Sequence, residues 1–402
     1  MLLGLGKTAV TLLLAADFAQ RCLPCTPKWT EGADASQTAA TLHELYGDAS
    51  FWPTPWLGGL LGGHLQTIWY GLSKAPTFEF TEERWTTVDG GTLGLAWPNT
   101  PSSMPASAPV ALILPGLCGS VEGTGHTIHA MLEAGLRPVC LHARGCGVPL
   151  TSPRFNIFGD TQDLCDALDR IAQRRPEAPL CLHSISAGTA LMVRYLGEQG
   201  ASAPIAAAVA NCPGYDIGVC MTRVGWLYDA GYYLSVLKRH WLSGANGEVL
   251  RAAAPEVCAR MEEAGDMHTF MTAAAPFAAP QGGPPDSGTV ANAFAAYLAA
   301  SNPMGVAHCI QVPALIVNAD DDPVVSARNI DENAPQLLGD SSSSTVLLRY
   351  PAGGHCCFAR GLHAHRWVDE LSAGFLAALA RESEAERQSG GDSTRPCGTG
   401  AS

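Results

Sequence analysis

A serine, an acid and a histidine stand in this chain in the order Ser186, Asp322, His355, each just after a run of apolar residues. A serine hydroxyl is a weak nucleophile near neutral pH until a base takes its proton. A carboxylate that holds the base in one tautomer completes the set, and the chemistry of such a trio is acyl transfer through an acyl-enzyme.

Ser186 lies in Leu180-Cys-Leu-His-Ser184-Ile-Ser186-Ala187-Gly188, followed by a helix-length apolar stretch over 189–198. A strand, a tight turn and a helix lift a serine hydroxyl above the sheet edge. Small residues are needed two before and two after the serine, because strand and helix backbones approach closely there. Gly188 meets the need on one side, and Ser184 stands where glycine is more usual. Ser184 is the rival nucleophile by residue type, with the wrong spacing to the helix.

The acid follows a strand-like run at 314–318, where Asp320, Asp321 and Asp322 precede Pro323. Open α/β sheets place their sites at the carboxyl ends of strands. Asp322, followed by Pro and two valines, has the common form of an acid loop, and Asp321 is the fallback. His355 follows the run 346–350 on the flexible pair Gly353-Gly354. An oxyanion needs two donors preset where charge develops. The expected pair is the backbone N–H of Ala187 and that of Leu117, in the turn Leu114-Pro115-Gly116-Leu117. This chemistry needs no metal and no organic cofactor.

The elements that must position these residues are legible as a rhythm. Strand-length apolar runs at 110–114, 138–141, 180–183, 205–210, 314–318 and 346–350 alternate with helix-length segments at 124–135, 160–174, 187–199, 326–338 and 363–381. Continuous apolarity suits strands buried on both faces of a parallel sheet. Residues 83–88 and 92–97, joined by an Asp-Gly turn, predict an antiparallel hairpin. The expected class is therefore α/β with a mostly parallel sheet. The rhythm breaks over 213–305, which predicts a helical insertion. Its clustered Trp226, Tyr228, Tyr232, Tyr233 and Trp241 are expected to turn an aromatic face towards Ser186. Residues 1–50 read as a lead-in, 51–381 as one domain, and 382–402 as a disordered tail.

Composition narrows the function classes. The chain has 402 residues, 47% of them hydrophobic, and a formal charge of −13. That charge argues against nucleic acid, whose phosphates require Lys/Arg surfaces. The fourteen cysteines sit largely in apolar runs and read as thiols of a reducing compartment. Cys22-Leu-Pro-Cys25 has no second pair to complete a zinc site, and Cys356-Cys357 reads as packing. Residues 2–19 are mostly apolar but interrupted by Lys7 and Asp17, which suits a weak anchor or interfacial helix, or equally a frayed amphipathic helix packed on the domain, better than a spanning helix. A cytoplasmic or membrane-associated protein, with peripheral or N-terminal attachment, is expected ahead of a secreted one.

Several longer blocks carry a family resemblance. They are Trp52-Pro-Thr-Pro-Trp56 with Gly62-Gly63-His64-Leu65-Gln66-Thr67, then Arg144-Gly-Cys146-Gly running to Pro153-Arg154, and Asn318-Ala-Asp-Asp-Asp-Pro323 with Gly353-Gly-His355. Over about 50–380 the chain resembles the YheT-like, or embryogenesis-associated, α/β-hydrolases, which include abhydrolase-domain esterases and phospholipases. The resemblance implies an α/β-hydrolase core with a helical cap, a Ser186–Asp322–His355 triad, and carboxylic esters such as acylglycerols or phospholipids as substrates. His64 and Arg144 are expected to play structural parts. The chain departs from the family at Ser184 in the elbow and by an insertion at 58–61. A non-catalytic relative binding a small apolar ligand or a protein partner is the competing expectation.

Overall fold

The computed structural model describes residues 22–59, 61–156, 158, 160–278, 290–339 and 343–389. A nine-stranded sheet crosses it. In chain order the strands are β1 (Lys28–Glu31), β2 (Phe80–Thr86), β3 (Thr92–Pro98), β4 (Val110–Leu114), β5 (Arg137–His142), β6 (Leu180–Ile185), β7 (Ala207–Asn211), β8 (Ala314–Ala319) and β9 (Thr345–Tyr350). Their spatial order is β1-β9-β8-β7-β6-β4-β5-β3-β2. From β5 to β9 neighbours are parallel, while β2, β3 and β1 run antiparallel at the two ends. This strand order is that of an α/β-hydrolase.

The inner strands β4 to β9 are buried on both faces because most of their side chains are apolar. Ile113, Val209, Leu315 and Val317 pack on one face with Val368, Leu371 and Phe375. Leu112, Leu182, Ala210 and Ile316 pack on the other with Leu164, Leu168 and Ile171. In chain order the helices framing the sheet are α1 (Ser36–Tyr46), α2 (Gly62–Leu72), α3 (Gly125–Glu133), α4 (Gln162–Arg174) and α5 (Gly188–Gln199). Six follow over 217–301: α6 (Ile217–Arg223), α7 (Leu234–Leu242), α8 (Gly244–Ala253), α9 (Pro255–Glu263), α10 (Met267–Ala278) and α11 (Val290–Ser301). The last two are α12 (Ala327–Leu338) and α13 (Trp367–Ser389). Between β7 and β8 the described residues form no strand. The helices there build their own core around Trp241, Phe270, Met271 and Tyr297.

Two boundaries differ from the sequence reading. The lead-in contributes structure, because β1 pairs with β9, Lys28 opposite Arg349, and α1 packs Leu42 into the core. A four-residue edge strand with one polar face leaves too short a pattern to recognise. At the other end the domain does not stop at 381, and α13 continues to Ser389. Glu382 is held there by the side chains of Gln37 and Thr41, each at 3.3 Å. Residues 2–19 and the tail beyond 389 lie outside the described residues. Among the described residues no helix is long and apolar enough to cross a membrane.

Candidate functional site

Ser186 caps the junction of β6 and α5 with a φ of +50°, a left-handed conformation rare for a residue with a side chain. Gly188 explains the spacing that follows it. A Cβ there would lie 2.5 Å from the carbonyl oxygens of both Leu114 and Pro115, so only glycine lets α5 start so close to β4. Ser184 is fully buried, and its hydroxyl donates to the Val209 carbonyl at 3.0 Å. The residue standing in for the usual glycine thus faces the sheet interior, away from any substrate.

The Ser186 hydroxyl lies 2.8 Å from His355 Nε2, and His355 Nδ1 lies 2.8 Å from Asp322 Oδ2. The other oxygen of Asp322 accepts the N–H groups of Val324 and Val325 at 2.8 and 2.9 Å, which fixes the carboxylate's orientation. The neighbouring acid serves the same loop differently. Asp321 Oδ1 accepts the N–H groups of Gly353 and Gly354, both at 2.8 Å. One carboxylate holds the imidazole ring and the next holds the backbone that carries it, while Asp320 pairs outward with Arg349. Burial raises the pKa of Asp321, against the lowering effect of those two donors. Burial works to lower the pKa of His355, but the Asp322 carboxylate outweighs it and the value is raised.

The segment Gly62-Gly63-His64-Leu65-Gln66-Thr67 shows what its residues are for. Thr67 Oγ1 accepts the His355 N–H at 2.9 Å and donates to the Gly63 carbonyl at 2.7 Å. Gln66 accepts the N–H of Ala359 at 2.9 Å. A Cβ on Gly63 would stand 1.8 Å from the Asp321 carbonyl oxygen, so α2 touches the acid and histidine loops at once. His64 Nδ1 is 3.0 Å from the Tyr228 hydroxyl, and the two rings stack. Thr67 is the positioning residue that sequence reasoning did not single out. Its signal was membership of a motif whose purpose only the tertiary contacts reveal. Arg144 makes a buried double contact with Asp163 and a further one with Asp89, tying the loop after β5 to α4 and to the hairpin turn.

Leu117 and Ala187 line the same cleft as Ser186. Gly116 lies next to Ser186, and a Cβ on it would meet that of Ser186 at an ordinary contact distance of 3.5 Å. Neither the Leu117 nor the Ala187 N–H is hydrogen-bonded to another described residue. The cleft is open to solvent and spans about 570 Å³, solvent at its mouth included. Its walls are mainly aliphatic, with Ile217, Met221, Val224, Met267 and Val324, and Tyr233 is the one residue of the expected aromatic cluster among them. The expectation of an aromatic face is thus corrected. Trp241 is fully buried against Phe155, Tyr228 stacks on His64, and Trp226 and Tyr232 are 77% and 56% exposed. The cap needs an apolar core of its own, and that core and the outer surface take most of its rings.

Cys212, His355 and Cys356 place donor atoms within 4.8 Å of one another. Both His355 nitrogens are already engaged by Asp322 and Ser186, so a metal ion there would have to displace one of them. Burial raises the Cys212 thiol well above its ordinary pKa, which keeps it a neutral neighbour of the ring.

No protein-family model matches the chain. Among curated proteins it is 25% identical over 339 residues to the embryogenesis-associated protein EMB8 of Picea glauca, covering 79% of this chain and 70% of that one. It is 28% identical over 348 residues to the human protein ABHD15, with 81% and 68% covered. Human phospholipase ABHD3 is 30% identical over 197 residues, a match spanning 46% of this chain and 47% of that protein.

Proposed function

We propose that this chain, a relative of the abhydrolase-domain esterases and phospholipases, is a serine hydrolase of lipid-like carboxylic esters. The observation that carries the reading is the continuous contact from Ser186 through His355 to Asp322. His355 Nε2 takes the Ser186 proton as the hydroxyl oxygen attacks the ester carbonyl carbon. The oxyanion is stabilised by the N–H groups of Ala187 and Leu117. His355 then protonates the leaving alcohol, and in the second half of the cycle it activates water to release the acid and free Ser186. Asp322 keeps Nδ1 protonated and stabilises the imidazolium that forms at each step.

The walls of the cleft support this substrate class. Ile217, Met221, Val224 and Met267 offer an acyl chain apolar contact and almost no hydrogen-bonding partner. Acylglycerols and phospholipids both fit this description, and the human relative's name, phospholipase, agrees with the second. The test is labelling with a fluorophosphonate probe followed by peptide mapping. The adduct is expected on Ser186, and an unlabelled protein that is folded would instead identify a non-catalytic relative.

A further inference from the structure

Helix α2 has two working faces. Its inner face carries Gly63, Gln66 and Thr67 and holds the acid and histidine loops. Its outer face presents Leu61, Leu65, Ile68 and Leu72 to solvent, Leu72 at 76% exposure. Steps of four, three and four residues stack these side chains into one stripe along the helix. Trp52, Trp56 and Leu362 are exposed beside it, and the Trp56 indole donates to the Leu362 carbonyl at 3.3 Å. The cap adds exposed Trp226, Leu227 and Tyr232, joined to α2 through the His64–Tyr228 bond. Exposed apolar patches of this kind mark an interaction surface rather than scattered surface residues.

The chemistry of the patch selects its partner. Residues 51–73 contain no Asp, Glu, Lys or Arg. Over 224–237 the one charged residue is Asp229, whose carboxylate accepts the Met267 N–H at 2.7 Å. An ionic partner would find nothing to pair with. The patch is also continuous with the cleft, because exposed Tyr232 packs edge-on against Tyr233, which lines the cleft beside Ser186.

We propose that the outer face of α2 and the adjoining cap residues form a docking surface for an uncharged lipid interface. Leu and Ile side chains enter the acyl boundary, while Trp and Tyr lie at headgroup level, as amphipathic rings do. Docking sets the mouth of the cleft against the lipid, so an apolar chain passes from one to the other without crossing water. The surface stands on exposure and composition, and it does not depend on the chemistry assigned to Ser186.

The test uses the full chain and phosphatidylcholine vesicles in a flotation assay. The parent protein is expected to float with the vesicles equally at low and high salt. The double variant Leu65→Asp/Ile68→Asp is expected to lose roughly tenfold or more in partition, since two buried apolar side chains are exchanged for charges. Leu227→Asp, on the cap, provides an independent variant and is expected to weaken binding as well. Hydrolysis of a water-soluble short-chain ester should stay unchanged in both variants. Vesicle binding that is equal in parent and variants overturns the proposal. So does a parent that binds anionic vesicles alone and is released by salt. A parent that self-associates through this face in sedimentation and ignores vesicles overturns it too. If vesicle binding follows the patch while no ester is cleaved, the docking surface stands and the hydrolase reading falls.

Discussion

The turns at the carboxyl end of the sheet and the helical cap above them are built on opposite principles. In the turns nearly every polar atom has a named partner. Asp322 uses both oxygens, Asp321 holds two glycine N–H groups, and Thr67 secures the His355 backbone. In the cap wall of the cleft the contacts are aliphatic and non-directional, from Ile217, Met221, Val224 and Met267. Directional networks fix one geometry and fail sharply when a member is removed. Aliphatic walls of similar volume interchange at small cost. Substitutions in the turns should therefore act on kcat, and substitutions in the cap should change which ester is preferred.

The sharpest test of that contrast is Ser186→Ala, which should cost about 10⁴–10⁶ in kcat and abolish fluorophosphonate labelling. Ser184→Ala should keep the labelling and lose on the order of 1 kcal/mol of stability, the worth of one buried hydrogen bond. Reversal of the pair would move the nucleophile. Next comes Asp322→Asn, expected to lower kcat by about 10⁴ through the wrong imidazole tautomer. Asp321→Asn should stay within about tenfold, because an amide oxygen still accepts from Gly353 and Gly354. The pH profile of the residual activity sharpens this further. The proposed mechanism needs neutral His355, whose pKa the Asp322 carboxylate raises against the effect of burial. Without that carboxylate the proton is held less tightly, so the acidic limb of kcat/KM should move to lower pH in Asp322→Asn. An unmoved limb would mean that another group controls it.

Smaller effects separate holding from touching. Thr67→Val removes the acceptor of the His355 N–H and should reduce kcat by about tenfold with KM unchanged, the cost of one unsatisfied donor. Thr67→Ser should restore the rate. A rise in KM alone would place Thr67 against the substrate instead. The mildest effect belongs to the cap. Each added CH₂ of the acyl chain should raise kcat/KM by about fourfold, from roughly 0.8 kcal/mol per buried methylene, until the cleft is full. Met221→Trp should bring that plateau to a shorter chain and leave the shortest esters unaffected. A flat profile from two to ten carbons would remove the acyl-cleft reading and erase the contrast between the two regions.

The framework of the fold was legible because its strands are apolar on both faces, so β4, β6, β8 and β9 announce themselves as unbroken runs. The order of Ser186, Asp322 and His355 was legible for a related reason, each following such a run. What the sequence concealed depends on distant partners. β1 is four residues long and becomes a strand only against β9. The division of labour between Asp321 and Asp322 lies in which oxygen meets which N–H, and adjacent identical residues carry no mark of it. The aromatic residues of the cap misled because clustering along the chain does not fix facing. Trp226 and Trp241 lie fifteen positions apart, yet one is exposed and the other fully buried.

The pairing of β1 with β9 also bears on how the chain is made. Lys28 finds its partner in Arg349, 321 residues later. At a synthesis rate of roughly 5–20 residues per second, the wait is on the order of 15–60 s. Through that interval the cap, the elbow of Ser186 and the inner strands can already be assembling, while the earliest strand has no edge to join. Sheet closure at that end is therefore a late event on the ribosome, and it arrives with the strand that delivers His355.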